Sequence, residues 1–375
     1  MRLERGKPWT KYIALVGILD SAALAVGEWS SMGLPDASDS RLAELTRWVF
    51  EDLGFSGSRI EPASADASFR RYFRVTRGED TYIVMDAPPQ KEDLKPFVTV
   101  ARILLGMGLN VPVILARDSK RGFLLLSDLG HRQYLDELRS DGAADRLYAD
   151  ALEALATMQT ADRGRARDLP PYNHALLMRE MELMPEWFLR RHLRVEISAA
   201  ERDMLDRLFE ALSRSALSQP AAFVHRDYHS RNLLVTTGNN PGILDFQDAV
   251  WGPVTYDLVS LIKDCYIAWP EPRVRAWALR YREQLLAKGF PLEAGEAEFI
   301  QGFDLVGLQR HIKVLGIFAR LYYRDGKSQY LNDLPRVLNY TREAAAQYAE
   351  TADFSEFIAK RIEPEFTAAQ ERALA

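Results

Sequence analysis

The run His225-Arg226-Asp227-Tyr228-His229-Ser230-Arg231-Asn232-Leu233-Leu234-Val235, followed by Gly242-Ile243-Leu244-Asp245-Phe246-Gln247-Asp248, holds the side chains of this sequence best suited to chemistry. Thr236, Thr237, Gly238, Asn239, Asn240 and Pro241 lie between the two runs and read as a turn. The apolar flanks then form a short antiparallel hairpin that holds Asn232 close to Asp245, with Asp227 on the loop just before it. Phosphoryl transfer needs such a set. Side-chain oxygens suit Mg²⁺ bridging the phosphates of a nucleotide, and a separate carboxylate orients the attacking hydroxyl. In this assignment Asp227 is the catalytic carboxylate, and Asn232 and Asp245 hold metal. The His-x-Asp-(four residues)-Asn spacing followed by Asp-Phe is the order in which these groups occur in phosphoryl-transfer sites. His225 and His229 are four residues apart but lack the intervening Glu and the third ligand of a zinc site, so His225 reads as a buried structural residue.

Elements of two kinds must position this set. Ser40 can cap a helix over 41–53, and 70–75 and 81–85 read as a hairpin turning at Arg77-Gly78-Glu79-Asp80. A helix over 97–107 stops near Gly108, and 111–116 and 122–127 read as two more strands. Beyond Gly130 the period becomes helical, most clearly over 146–160, 175–192, 199–217, 273–288 and 295–323. Short strands at 221–225, 232–235 and 242–245 interrupt it once. The expected fold class is α+β: a small β-rich N-lobe over 32–129 and a larger, mainly helical C-lobe over 130–375, with ligands in the cleft between them. Residues 1–31 read as an N-terminal extension.

With 375 residues, the chain is long enough for about two domains. A formal net charge of −5 removes the strong basic bias of a protein that grips nucleic acid through phosphates, so none is expected as a partner. The single cysteine, Cys265, excludes an intrachain disulfide and a cysteine-rich zinc site, and fits a cytoplasmic protein. Arg2, Arg5, Lys7 and Lys11 ahead of the apolar run 12–19 resemble the start of a signal peptide, but Asp20 cuts the run short. No stretch reaches the roughly 18–20 apolar residues of a membrane span. Met32 is the alternative start, and no membrane or obligate protein partner is expected.

The segments 225–235 and 245–248, with Trp251-Gly252-Pro253-Val254-Thr255-Tyr256-Asp257-Leu258, resemble the aminoglycoside phosphotransferase and choline kinase-like family. The resemblance covers about residues 41–345. It implies a protein-kinase-like bilobal fold, ATP and Mg²⁺, and transfer of the γ-phosphoryl group to a hydroxyl of a small molecule. It also implies that Asp257 is a structural brace or a helix N-cap. Ser64-Ala65-Asp66-Ala67-Ser68-Phe69-Arg70-Arg71-Tyr72-Phe73-Arg74 and Ile83-Val84-Met85-Asp86-Ala87-Pro88-Pro89, together with the C-lobe motifs, are similar to the N-acetylmuramate/N-acetylglucosamine anomeric kinases. That similarity implies a sugar substrate phosphorylated at C1 in peptidoglycan recycling.

The chain departs from the wider kinase pattern in one respect. The strand at 81–85 ends in Met85-Asp86 without the phosphate-pairing lysine, so Arg70, Arg71 or Arg74 is the expected source of positive charge. Small residues through Ser68 would let backbone amides approach phosphate, and Leu126 and Asp128 in the connector would meet the adenine. Toward the sugar, Arg231 suits a substrate carboxylate such as a lactyl group, Trp251 a ring face, and Gln247 and Asp248 complete the acceptor side. An aminoglycoside- or choline-type acceptor is the alternative within the class. A nucleotide-binding pseudokinase is the alternative outside it.

Overall fold

In the computed structural model, residues 39–65, 69–138 and 141–374 are described; the N-terminal extension, Met32 and Ser68 lie outside them. The chain divides into two units. One holds the described residues up to Leu94 together with Ile114–Asp128, and the other holds Lys95–Val113 and the described residues from Leu129 onward.

In the first unit, helix α1 (Ser40–Arg47) is capped by Asp39, whose carboxylate accepts the Leu42 N–H at 3.0 Å. Ser40, the expected cap, is instead the first helical residue. The helix continues as a π-helical turn, Trp48–Asp52. Five antiparallel strands come next: β1 (Arg59–Ala65), β2 (Arg71–Arg77), β3 (Asp80–Asp86), β4 (Ile114–Asp118) and β5 (Phe123–Ser127). Their order is β1-β2-β3-β5-β4. Strand alternation turns Phe73, Val75, Val84, Phe123 and Leu125 to one face, where they pack on Leu45, Trp48 and Val49. β1 escaped the sequence reading because Pro62, Ser64 and Ala65 dilute its strand signal; its pairing shifts register between Pro62 and Ser64.

The second unit opens with α2 (Leu94–Gly106), which straddles the division. The segment 95–113 joins this unit because Phe97 lies 4.8 Å from the Phe246 ring and the Asn110 carbonyl accepts the Ile243 N–H at 2.8 Å. The boundary at residue 129 read from sequence assigns that segment to the N-lobe instead. Then come α3 (Tyr134–Glu137), α4 (Asp141–Gln159), α5 (His174–Met181) with a π-helical continuation at Met184–Leu193, and α6 (Ala199–Ser218). Ser198 and Glu201 close a capping box on α6. Strands β6 (Ala221–Val224), β7 (Leu233–Leu234), β8 (Gly242–Ile243) and β9 (Val250–Pro253) precede α7 (Tyr256–Ile262), α8 (Glu271–Ala287) and α9 (Glu296–Asp325). Helices α10 (Leu334–Ala345), α11 (Ala352–Phe357) and α12 (Glu363–Leu374) complete the unit. The 30-residue α9 is its spine and is buried along most of its length. Among the described residues no helix is long and apolar enough to cross a membrane.

The β4–β5 hairpin depends on Gly122. It sits at φ +78°. Its N–H donates to the Asp118 carbonyl at 2.8 Å and its own carbonyl accepts the Ala87 N–H at 2.9 Å. A Cβ here would lie 2.0 Å from the Ala87 carbonyl oxygen. Gly78, at φ +61° in the β2–β3 turn, has open space around it. Gly122→Ala should therefore cost about 2–4 kcal/mol and Gly78→Ala about 1 kcal/mol, read by urea unfolding. Equal losses would contradict the steric account.

Candidate active site

Two loops carry the reactive set, and the ladders on either side fix them together. Loop 225–232 leaves β6 and enters β7, while loop 244–249 leaves β8 and enters β9. β6 pairs with β9 and β7 with β8, so each end of one loop is tied to an end of the other. The Leu244 N–H extends the second ladder to the Asn232 carbonyl at 2.9 Å. Asn232 and Asp245 consequently meet, with Asn232 Nδ2 3.4 Å from Asp245 Oδ2, and the same Nδ2 donates to the Asp227 carbonyl at 3.0 Å. The strands are shorter than those read from sequence because the His225 N–H turns to Asp257, the Val235 N–H turns to the Arg132 carbonyl, and Asp245 lies in the loop beyond β8.

The turn before Asp227 is held from beneath. Asp257, fully buried in the first turn of α7, accepts the His225 N–H at 2.6 Å and the Arg226 N–H at 2.9 Å. It is a brace rather than an N-cap, since the capping position belongs to Thr255. Burial pushes the Asp257 carboxyl up to about 7 against the pull of these two donors. His225 Nε2 bonds the Leu244 carbonyl at 3.0 Å, and Nδ1 accepts the Asp227 N–H at 3.3 Å. Both ring nitrogens are thus spent within the protein, and burial holds this histidine neutral, down to about 4. The His225/His229 pair is not a zinc site.

The donor set near Asp245 suits a hard cation. With Nδ2 of Asn232 engaged, its Oδ1 is the atom left for a ligand, and Asp245 adds carboxylate oxygen. Gln247 Nε2 donates to Asp245 Oδ1 at 2.7 Å and reaches Asp248 Oδ2 at 3.4 Å. Its own Oε1 is buried with no partner among the described residues, an acceptor in want of a donor. The Asn232 and Asp245 oxygens fit Mg²⁺, which takes one or two protein ligands and completes its shell with phosphate and water.

A buried charge cluster flanks Asp227, and sequence reasoning missed it. Arg226 pairs with Glu180 of α5, which also accepts from Tyr172 and lies 3.1 Å from Lys313 Nζ. Lys313 further donates to Tyr256 Oη at 3.0 Å. Arg310, one turn earlier on α9, donates from Nη1 to the Arg226 carbonyl at 3.1 Å and lies 3.9 Å from Asp227 Oδ1. Burial would raise the Asp227 carboxyl, but the Lys313 and Arg310 cations hold it well below the ordinary carboxylate range. The signal in the sequence was Gln309-Arg310-His311-Ile312-Lys313, a polar patch inside an apolar helical run.

The remaining expected residues fall apart from this cluster or on another unit. Arg231 lies with its guanidinium 3.7 Å from the Tyr266 ring centroid and 4.0 Å from Asp333. Trp251 is part of β9 opposite Phe223, with Arg163 4.5 Å over its ring. In the first unit, strand parity separates Arg71 from Leu126, and Asp128 follows the end of β5. Arg71 is in register with the buried Asp86 on the face covered by α1, and its guanidinium is committed to Asp86 and Asp39. Arg74, one of the three expected arginines, lies on the other face, in register with Ile83 beside Leu126. It grips Asp128 at 2.6 and 3.2 Å. Arg70 lies 3.9 Å from Glu92.

Asp257→Asn tests the brace. The amide keeps one acceptor but turns an NH₂ onto a backbone N–H, which should cost about 2–4 kcal/mol by urea unfolding at pH 8, where the native carboxylate is ionised. Unchanged stability would contradict the brace.

A family model described as "Phosphotransferase enzyme family" matches residues 59–299. The chain is 50% identical over 322 residues to the N-acetylmuramate/N-acetylglucosamine kinase of Pseudomonas aeruginosa, covering 86% of this chain and 94% of that one. It is 45% identical to the kinase of the same name from Pseudomonas putida, covering 86% and 97%. Among solved structures, the GDP complex of aminoglycoside 2'-phosphotransferase-IIIa superposes with a TM-score of 0.57 at 19% identity, covering 80% of this chain and 99% of that one. That likeness shows the kinase-like fold, a small antiparallel β unit with a larger helical one. The His-x-Asp-(four residues)-Asn loop, its Asp257 brace and these matches lead to one conclusion: the chain belongs to the phosphotransferase enzyme family and is a kinase.

Proposed function

We propose that this enzyme transfers the γ-phosphoryl group of ATP to the anomeric C1 hydroxyl of N-acetylmuramate and N-acetylglucosamine, yielding the sugar 1-phosphate of peptidoglycan recycling. The reading rests above all on the union of Asp227, Asn232 and Asp245 in one braced loop pair, in a chain similar over most of its length to kinases of that name. It places the enzyme in the cytoplasm, with a small sugar as its partner.

In this reading Asn232 Oδ1 and Asp245 would hold Mg²⁺, which when bound would supply positive charge against the charge developing on the transferred phosphoryl group. Asp227 orients the C1 hydroxyl and receives its proton late in the transfer. A free anomeric hydroxyl is more acidic than an ordinary alcohol, so a carboxylate held at low basicity by Arg310 and Lys313 is sufficient. Gln247 and Asp248 serve the acceptor side, Trp251 offers a ring face, and Arg231 meets the lactyl carboxylate that distinguishes N-acetylmuramate. Ser68, Arg70, Arg71, Leu126 and Asp128 are the residues read for the nucleotide; of these, the commitment of Arg71 to Asp39 and Asp86 on the face away from Leu126 disfavours Arg71.

ADP release with Mg-ATP and, in turn, N-acetylmuramate, N-acetylglucosamine, kanamycin and choline tests the assignment. Turnover is expected with the two sugars only, and Asp227→Asn should reduce it about 10²–10⁴-fold. Turnover with kanamycin or choline alone would move the enzyme to another acceptor class. Arg231→Met should raise KM for N-acetylmuramate about tenfold and leave that for N-acetylglucosamine unchanged; equal effects on both sugars would remove Arg231 from carboxylate recognition.

A further inference from the structure

Arg310 is nearly fully buried on α9, with 3% of its side chain exposed, and burying a guanidinium without a matched acid is costly. Its neighbour one turn on explains itself: Lys313 is matched by Glu180 and Tyr256. Among the described residues the one ion pair of Arg310 is with Asp227 Oδ1, at 3.9 Å, and its Nε is buried without a hydrogen-bond partner. Its other polar contacts are the Arg226 carbonyl at 3.1 Å and the Tyr256 hydroxyl at 3.5 Å.

The Arg226 carbonyl belongs to the peptide that leads into Asp227, and Arg226 itself sits at φ +78°, a left-handed conformation that residues with a Cβ rarely adopt. Such a conformation persists only where its surroundings over-determine it. Here they do. Asp257 takes the Arg226 N–H, Arg310 takes the carbonyl of the next peptide, and His225 Nδ1 takes the N–H of that same peptide. The 226–227 peptide is therefore clamped on both edges, and the direction in which the Asp227 side chain leaves the backbone is set by it.

We propose that Arg310 is a positioning residue for phosphoryl transfer, holding the 226–227 peptide and Asp227 Oδ1 in one orientation so that Oδ2 faces the acceptor hydroxyl. This rests on the reading of Asp227 above. In the step it serves, the acceptor oxygen forms the new O–P bond and the γ-phosphorus separates from its bridging oxygen. ADP keeps that electron pair, and the hydroxyl proton passes to Asp227 Oδ2. Arg310 touches neither substrate.

Steady-state kinetics of the intact protein with Mg-ATP and N-acetylglucosamine test it through a double-mutant cycle. Arg310→Lys keeps the charge, but its shorter side chain ends short of the point from which Nη1 meets both the Arg226 carbonyl and Asp227 Oδ1, so kcat should fall about 30-fold or more while both KM values stay within about threefold. In the Asp227→Asn background the same substitution should cost nothing further. Arg310→Ala should regain at least about tenfold in kcat when guanidinium ion is supplied at millimolar concentration, a recovery that a merely unfolded variant would not give. Wild-type kcat in Arg310→Lys, losses that multiply in the double variant, or no recovery with guanidinium would overturn the proposal. Full activity in Asp227→Asn alone would overturn the reading of Asp227 on which it rests, and the proposal with it.

Discussion

Two backbone N–H groups accepted by one buried carboxylate hold the chemistry of this protein in place. Asp257 takes those of His225 and Arg226, and together with Arg310 and His225 it holds Arg226 in its left-handed conformation. The rest of the catalytic loop is built on that turn. Asp227 leaves the backbone in a fixed direction, its N–H returns to His225, and its carbonyl receives the Asn232 amide. The two short ladders then need only close the loops around it, which is why strands of two to four residues suffice.

Charge is arranged around the same turn, with Arg310, Lys313 and Glu180 buried and Asp227 partly exposed. Arg226, Arg310 and Lys313 face Glu180 and Asp227, with the hydroxyls of Tyr172 and Tyr256 completing their contacts. Breaking one member of such a group leaves the others uncompensated, so it fixes a single arrangement more effectively than it adds stability. The α1 face of the first unit repeats the arrangement with Arg41, Arg71, Asp39 and Asp86, where it anchors the helix to the paired ends of β2 and β3.

What the sequence made legible was local. The spacing from Asp227 to Asn232 lies within one loop, and the turn residues 236–241 predict that the chain folds back to bring Asp245 alongside; both are matters of short-range geometry. The long helices were also readable, because a 3.6-residue period persists through α6, α8 and α9. Arg310, Lys313 and Glu180 were not, since their roles depend on distant helices packing together, with Glu180 46 and Arg310 84 residues from Arg226. Arg71 shows the same limit in a strand: its type suits phosphate, but pairing with Asp86 decides which face it occupies. The cap moved from Ser40 to Asp39 because both residue types can cap and only the geometry of the entering chain chooses between them.

In the proposed reaction the braced Asp227 serves an anomeric hydroxyl. Proton-coupled phosphorus NMR of the product formed from Mg-ATP and N-acetylglucosamine tests it most directly. The account predicts a phosphomonoester resonance split by the single H1 proton and absent when Asp227→Asn replaces the native protein; a resonance coupled to the two C6 protons, or one that survives the substitution, would contradict it.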